Sequence, residues 1–202
     1  MNFLVILFSY LLGSVNFAYI TARIKGIDIS SSGSGNPGTS NVLRTLGKSS
    51  AAIVLLGDLL KGAIPIIFFS NDKYFLLYGL AAVLGHIYPV FYKFKGGKGV
   101  ATYLGVYIAA VLLNPNNSEI LNLQIFQIFN IPVIALFYFS LFKITRVSAI
   151  ASLSTVVITV ALLIFVNNEI ENILILLTLL VLIFLKHSEN IKRLAEGKEN
   201  KF

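Results

Sequence analysis

The sequence predicts an all-α fold, a polytopic integral membrane bundle of about seven transmembrane helices. Hydrophobic residues make up 56% of the chain and charged residues only 12%, about half the charged fraction of a soluble domain. The apolar residues fall into separate runs, and almost all of the basic residues lie between those runs. A surface this poor in charge cannot be solvated by water, so the bilayer is the solvent for most of the chain.

Seven apolar runs are assigned as transmembrane spans, because a helix needs about 20 mainly apolar residues to cross a bilayer. No Lys or Arg precedes the first run and no small-residue cleavage site follows it, which predicts a retained span and not a signal peptide. The fourth and seventh runs are short, so an arrangement of five crossings is kept as an alternative. The runs are residues 3–22, 50–69, 74–92, 100–113, 123–142, 147–166 and 172–185. Nothing divides them, which predicts a single domain over residues 1–202.

The distribution of basic residues predicts the orientation. If the chain crosses seven times, 14 of its 16 Lys and Arg residues lie on one side, in segments 23–48, 93–99, 143–146 and 186–201. Basic loops stay in the cytoplasm, so the N-terminus is outside and the C-terminus is cytoplasmic, in the inner (plasma) membrane. The net charge of +7 would indicate nucleic-acid binding in a soluble protein. In short loops it indicates topology and an anionic substrate instead, with no nucleic-acid partner.

A polar loop with three glycines follows the first span. Gly33, Gly35 and Gly38 allow tight turns and a close approach to a ligand. Thr39 or Ser40 is then expected to cap a helix that runs into the second span, and a helix start attracts phosphate. Arg44 lies about a turn further on and offers a guanidinium that can hold phosphate through two hydrogen bonds. On composition alone, a flexible Gly/Ser linker explains this loop equally well.

A second glycine-rich loop lies on the same side, at residues 93–99. Lys95 and Lys98 sit among three glycines, Gly96, Gly97 and Gly99. Lysines that only fix the topology would explain the charge. They would not explain three glycines in five positions, so we interpret the loop as a second anion site.

Polar residues also lie near the ends of later spans. His187 and Asn190 are three positions apart at the cytoplasmic end of the seventh span and would share one face of a helix. A single histidine at a membrane surface is usually only solvated, but this one lies on the same side as two anion sites. Ser148 begins the sixth span on that side, where it can also be a simple N-cap.

Two charged residues fall inside the second span. Each charge at the centre of a membrane helix costs about 2.5–3.5 kcal/mol on insertion scales. Asp58 and Lys61 must therefore face the interior of the bundle, and their spacing of three lets them pair. We interpret the pair as structural, and His86 as a buried histidine behind the site.

Several absences narrow the chemistry. The chain has no cysteine, which excludes a thioester enzyme intermediate and cysteine-ligated metals. Its nine acidic residues form no cluster dense enough for Mg²⁺, so neither a metal nor a cofactor is expected. The His-x4-Asp motif of membrane acyltransferases that use acyl-CoA or acyl-carrier protein is also missing.

Taken together, the segments resemble the acyl-phosphate:glycerol-3-phosphate acyltransferase family of bacterial membranes over essentially the whole chain. The segments that carry the resemblance, in family order and spacing, are Tyr10–Ser14, Gly33–Gly38, Gly57–Gly62, Phe94–Thr102 and His187–Leu194. The chain departs from the family pattern at side positions, among them Asn16, where proline is usual, and Ser188, where arginine is usual.

The resemblance implies transfer of a fatty acyl group from acyl phosphate to the 1-hydroxyl of sn-glycerol 3-phosphate, giving lysophosphatidic acid and phosphate. It also implies a site lined by Ser34, Asn36, Arg44, Lys98, Ser148, His187 and Asn190. The N–H groups of loop 33–38 and the amides of Asn36 and Asn190 are candidate oxyanion donors. Either His187 or the donor phosphate takes the hydroxyl proton. A small transporter for a phosphorylated solute and a phosphotransferase are the alternatives.

Overall fold

The computed structural model describes residues 1–113, 121–166 and 169–202, with the backbone alone for residues 121–128. Within this part of the chain the regular elements are ten α-helices and one short 3₁₀ helix, Val90–Tyr92, and no β-strand is present. This confirms the predicted all-α class. The helices are α1 Phe3–Ser14, α2 Phe17–Ile24, α3 Thr39–Leu46, α4 Lys48–Phe69, α5 Phe75–Ile87, α6 Val100–Leu113, α7 Leu121–Thr145, α8 Ser148–Val166, α9 Ile170–Lys186 and α10 Ser188–Ala195.

Several of these helices are apolar enough to cross a membrane. In the described residues, four segments have the necessary length: Phe3–Ile24, Lys48–Phe69, Phe75–Tyr92 and Ser148–Val166. The pair α9 and α10 makes a fifth if it is taken as one span bent by 56°. Helix α6 and residues Phe129–Thr145 of α7 are apolar but shorter. The chain is therefore an integral membrane protein with four or five spans by length, and the count of seven stays a prediction.

The first span is not the continuous helix that was predicted over residues 3–22. It breaks at Val15 and Asn16, between α1 and α2. The side chain of Asn16 caps α2, because its Oδ1 accepts the N–H groups of Ala18 and Tyr19 at 3.0 and 3.1 Å. Its Nδ2 also donates to the carbonyl of Pro37 at 3.4 Å. The break thus connects the first span to the first polar loop.

The buried pair in α4 stabilises the same break. Asp58 and Lys61 are each 1% exposed, and Lys61 Nζ lies 2.8 Å from Asp58 Oδ1, which confirms the predicted pairing. Lys61 Nζ also donates to the carbonyl of Val15 at 2.7 Å. An interrupted helix leaves carbonyl groups without an internal partner, and these are costly in a membrane. The Lys61 ammonium group therefore satisfies a carbonyl that the break has freed.

Close helix contacts through glycine fix the positions of the spans. A Cβ at Gly13 of α1 or at Gly85 of α5 would overlap backbone atoms of the facing helix. The same holds for Gly62 of α4 and Gly105 of α6. Small residues at membrane helix interfaces let two backbones approach, because association there relies on packing and not on the hydrophobic effect. These pairs hold α1 on α5 and α4 on α6.

Two local predictions about the polar ends of the spans are wrong. Gly38 is the N-cap of α3 and makes no side-chain hydrogen bond, so neither Thr39 nor Ser40 is the cap. Helix α3 also ends at Leu46 and is separate from α4. His187 and Asn190 do not share one continuous helix, because His187 lies in the bend between α9 and α10. The bend of 56° turns α10 away from the axis of α9.

Candidate active site

A cavity of about 480 Å³ opens at the end of the bundle where the polar loops meet. Its polar end is lined by Ser34, Asn36, Arg44, Lys98, Ser148, His187, Asn190 and Arg193. From there it continues as an apolar slot lined by residues that include Leu55, Leu104, Ile108, Ile134, Tyr138 and Phe142. Segments far apart in sequence therefore build one space with a basic end and an apolar end.

The cavity includes most of the predicted site residues but not all of them. In addition to the predicted residues at its polar end, it includes Gly38 and Gly99. The remaining predicted residues, which do not line it, are Gly33, Gly35, Lys95, Gly96 and Gly97. Lys95 is exposed to solvent. The glycines outside the cavity have packing partners within the protein.

The first polar loop is shaped by Asn41, a residue that the sequence did not single out. Asn41 is 1% exposed; its Oδ1 accepts the N–H of Ser34 at 2.8 Å and its Nδ2 donates to the carbonyl of Ser32 at 2.9 Å. Gly33 has a φ of 59°, and a Cβ there would overlap the Asn41 amide. Gly33 is therefore required by the Asn41 contact. Asn41 already stood in the Gly/Ser-rich stretch, but its residue type alone gave no hint of this role.

Most of the candidate oxyanion donors in this loop are already engaged. The Ser34 N–H is bound by Asn41, the Gly35 N–H donates to the Ser32 carbonyl at 3.0 Å, and the Gly38 N–H donates to the Asn36 carbonyl at 3.0 Å. The side chain of Asn36 lines the cavity, and no hydrogen bond joins its amide to another residue that the structure describes. The cavity also meets the first turn of α3 at Thr39 and Ser40, where N–H groups lack intrahelical partners.

The second polar loop packs on His86. The N–H of Gly97 donates to the His86 carbonyl at 3.2 Å, and a Cβ on Gly97 would overlap the His86 ring. A Cβ on Gly96 would overlap the His86 carbonyl. His86 is 3% exposed, and its Nδ1 lies 3.6 Å from Asp58 Oδ1. These glycines therefore let the loop lie against a buried histidine, and that contact places Lys98 at the cavity.

Lys98 belongs to a polar network with the last helix and the residues after it. Its Nζ donates to Asn190 Oδ1, and Asn190 Nδ2 donates to Glu199 Oε1 at 2.7 Å. The other Glu199 oxygen accepts from Arg193 Nε at 2.8 Å, and the Glu199 side chain is 6% exposed. Burial lowers the pKa of Lys98 to about 8, against an attraction from the Glu199 carboxylate that raises it. Both ends of the Asn190 amide are thus engaged, which makes it a support for Lys98.

His187 is oriented by its own helix. Its ring is 3% exposed, and Nδ1 lies 2.7 Å from the carbonyl oxygen of Ile183. A carbonyl can only accept, so Nδ1 carries the proton, and Nε2 of the neutral ring has a free lone pair. Because His187 lines the cavity, this nitrogen is able to accept a hydrogen bond or a proton from a bound hydroxyl group.

Other residues of the cavity were not predicted as part of the site. Glu199 and Phe202 lie in a charged tail that resembles a solvated segment, and nothing in its pattern indicated that it folds back. Asp58 and His86 also line the cavity, so the buried pair of α4 reaches the wall of the site. In residues 1–113, 121–166 and 169–202 no three His, Asp or Glu side chains come together as metal ligands.

The fold and the cavity define a membrane protein whose cavity has a basic end and an apolar end, a combination that suits an anion attached to, or beside, an apolar chain. Comparison with known proteins agrees with this class. The sequence profile of a family described as Glycerol-3-phosphate acyltransferase matches residues 3–197. A protein of that name from Aquifex aeolicus (strain VF5) is 41% identical over 207 residues, which cover 98% of this chain and 97% of the relative.

Two solved structures of PlsY (YgiH), described as an integral membrane glycerol 3-phosphate acyltransferase, have the same fold. Both are 35% identical to this chain and cover 98% of it and 94% of their own length. The glycerol 3-phosphate form gives a TM-score of 0.84 and the lysophosphatidic acid form 0.78. This chain belongs to the glycerol-3-phosphate acyltransferase family. It is an integral membrane acyltransferase of phospholipid synthesis, so the transporter alternative is set aside.

Proposed function

We propose that the chain transfers a fatty acyl group from acyl phosphate to the 1-hydroxyl of sn-glycerol 3-phosphate, releasing lysophosphatidic acid and inorganic phosphate. The observation that carries the proposal is a cavity whose basic end continues into an apolar slot. Both substrates place a phosphate at the basic end, and only the donor and the lipid product need the slot. Relatives of this chain have been solved in glycerol 3-phosphate and lysophosphatidic acid forms, which supports the acceptor and the product.

The donor is assigned to the side of the cavity formed by α3. Arg44 and the first turn of α3 bind the donor phosphate, because a guanidinium and free helix N–H groups both favour phosphate oxygens. The acyl carbonyl then lies near Asn36, whose free amide donates to the oxygen as negative charge develops there. Acyl phosphate is a mixed anhydride with a good leaving group, so positioning and oxyanion stabilisation supply most of the catalysis.

The acceptor is assigned to the opposite side. Lys98 and Arg193 hold the phosphate of glycerol 3-phosphate, and Ser148 contributes a hydroxyl group. The acceptor oxygen attacks the carbonyl carbon, the bond from that carbon to the phosphate oxygen breaks, and phosphate leaves. The hydroxyl proton passes to His187 Nε2, which has the free lone pair, or to the donor phosphate. We further propose that this end of the bundle lies on the cytoplasmic side of the inner membrane, since the basic loops converge there.

The test uses purified protein with palmitoyl phosphate and glycerol 3-phosphate. Released phosphate and lysophosphatidic acid, measured by mass spectrometry, should appear in equal amounts. Arg44→Ala should lower kcat by about 10²–10³, the range for losing one preorganised donor to a developing charge. Lys48→Ala is the matched control, because Lys48 is exposed at the start of α4 and does not line the cavity. Phosphate release without lipid product, or rescue of Arg44→Ala by more glycerol 3-phosphate, would contradict the assignment.

A further inference from the structure

Arg44 lacks the partner that usually fixes an arginine. It lies in the last turn of α3, its side chain is exposed, and in the described chain no carboxylate lies within ion-pair distance of it. Its guanidinium carbon instead lies 4.3 Å from the centroid of the Phe202 ring. An aromatic face within about 6 Å of a cation attracts it through the ring quadrupole.

Phe202 is itself held in place by several contacts. Its N–H donates to the carbonyl of Arg146 at 2.9 Å, and its ring meets the ring of Phe142 edge to face, with centroids 5.2 Å apart. Three residues earlier, Glu199 is fixed by its hydrogen bonds to Asn190 and Arg193. Phe202 lines the cavity and lies beyond residues 3–197, where the family profile matches.

The chemistry of the contact suits an arginine that must bind phosphate. A carboxylate partner would occupy the N–H groups of the guanidinium and cancel its charge. A ring stacked on the guanidinium face does neither, because the N–H donors lie in the plane and point outward from its edge. The charge and the donors of Arg44 therefore remain available to phosphate, while the side chain is confined to one place.

We propose that Phe202 is a positioning residue for acyl transfer: its ring holds the Arg44 guanidinium where it binds the donor phosphate. The inference rests on the proposed function through the role given to Arg44. It predicts that the electron density of the ring matters, since the quadrupole holds the cation. It also predicts that substitution changes kcat and leaves the KM for glycerol 3-phosphate unchanged, because the proposed function assigns the phosphate of that substrate to Lys98 and Arg193 and not to Arg44.

The test compares variants that separate ring electronics from shape, in the full chain and with saturating donor. Phe202→Leu keeps apolar volume and should lower kcat about twofold to thirtyfold, which is the strength of one cation–π contact expressed as a change in rate. Phe202→Trp should retain most of kcat. Stepwise fluorinated phenylalanine at position 202, which weakens the quadrupole at nearly constant shape, should lower kcat in steps. In an Arg44→Ala background, Phe202→Leu should have no further effect.

Three outcomes would overturn the inference. The first is an equal kcat for Phe202→Leu and the unsubstituted chain, and the second is an equal loss of kcat for Phe202→Leu and Phe202→Trp. The third is a rise in activity, which would mean that the tail blocks the cavity. A second readout, the thermal unfolding midpoint in detergent, needs no turnover. There the effects of Arg44→Ala and Phe202→Leu should be non-additive. If this coupling is present but acyl phosphate is not consumed, the proposed function fails and the Arg44–Phe202 contact stands. If acyl phosphate is consumed and the coupling is absent, the inference about Phe202 fails.

Discussion

Lys98 shows at the residue scale how the surroundings of a side chain set its chemistry. Most of the residue is buried at the cavity, its Nζ donates to Asn190, and two arginines and two glutamates act on its charge. Burial dominates and lowers its pKa to about 8, well below the ordinary value for lysine. The ammonium group is therefore charged at neutral pH, and it loses its proton at a pH at which an exposed lysine keeps it.

This pKa predicts a pH dependence for acceptor binding. Below pH 8 Lys98 is protonated and attracts glycerol 3-phosphate, and the attraction is lost as the pH rises through 8. The KM for glycerol 3-phosphate should therefore rise severalfold between pH 7 and pH 9.5, a range in which the phosphate stays a dianion because its second pKa is about 6. Lys98→Arg stays charged throughout and should flatten the profile. A KM that is constant up to pH 9.5 in the unsubstituted chain would contradict the assignment of Lys98.

The side chains that sequence reasoning found at this scale were those whose residue types indicate chemistry. Arg44, Lys98, His187 and Asn190 all line the cavity, and their roles there stay predictions. Glu199 and Asn41 were missed, because their roles depend on contacts with residues that are brought close only by folding. Glu199 meets Asn190 nine positions away through the turn after α10, and no spacing rule predicts such a contact.

At the scale of elements, the glycines of the loop at residues 93–99 are needed for a different reason from the one that the sequence indicated. A glycine pattern shows only that backbone must approach something closely. The sequence alone favoured an anion as that neighbour, whereas the structure shows His86 against Gly96 and Gly97. Gly99 differs again, since it has a φ of 86° and its neighbours are Val83 and Ile87.

This difference predicts coupling between the loop and His86. Gly97→Ala should displace the loop, move Lys98 and raise the KM for glycerol 3-phosphate. His86→Ala removes the ring with which the new Cβ collides, so Gly97→Ala should cost much less in that background, and the two effects should be non-additive. Gly99→Ala is the control, because its strain is conformational and should be the same in both backgrounds. Full additivity of Gly97→Ala and His86→Ala would mean that Gly97 contacts the substrate instead.

At the scale of the whole molecule, four segments that are far apart in sequence meet at one end of a helical bundle. One cavity is lined by positions in segment 34–44, loop 93–99, the start of α8 and the bend after α9. The helices themselves were largely predictable, since apolar runs of the right length dictate them, and α6 spans residues 100–113 as expected. The break at Asn16 and the bend at His187 were not, because capping and tertiary contacts decide them within apolar or helical sequence.

The proposed topology predicts which side of the membrane these loops occupy. The chain has no cysteine, so a single introduced cysteine is the only residue in the protein that a maleimide can label. Ser32→Cys, Lys95→Cys and Ser188→Cys should be protected from an impermeant maleimide in intact cells and should react after permeabilisation. Lys73→Cys, in the turn between α4 and α5, should react from outside. Labelling of any of the first three in intact cells would contradict the proposed orientation.

The choice of acyl donor tests the central claim most directly. Arg44 and a series of apolar side chains line the same cavity, and the proposed reaction uses acyl phosphate as the donor without a metal. Purified protein should be given glycerol 3-phosphate and EDTA, with palmitoyl phosphate in one reaction and palmitoyl-CoA in the other, and lysophosphatidic acid should be measured by mass spectrometry. Lysophosphatidic acid is expected from palmitoyl phosphate alone. Equal product from palmitoyl-CoA, or no product from palmitoyl phosphate in EDTA, would contradict it.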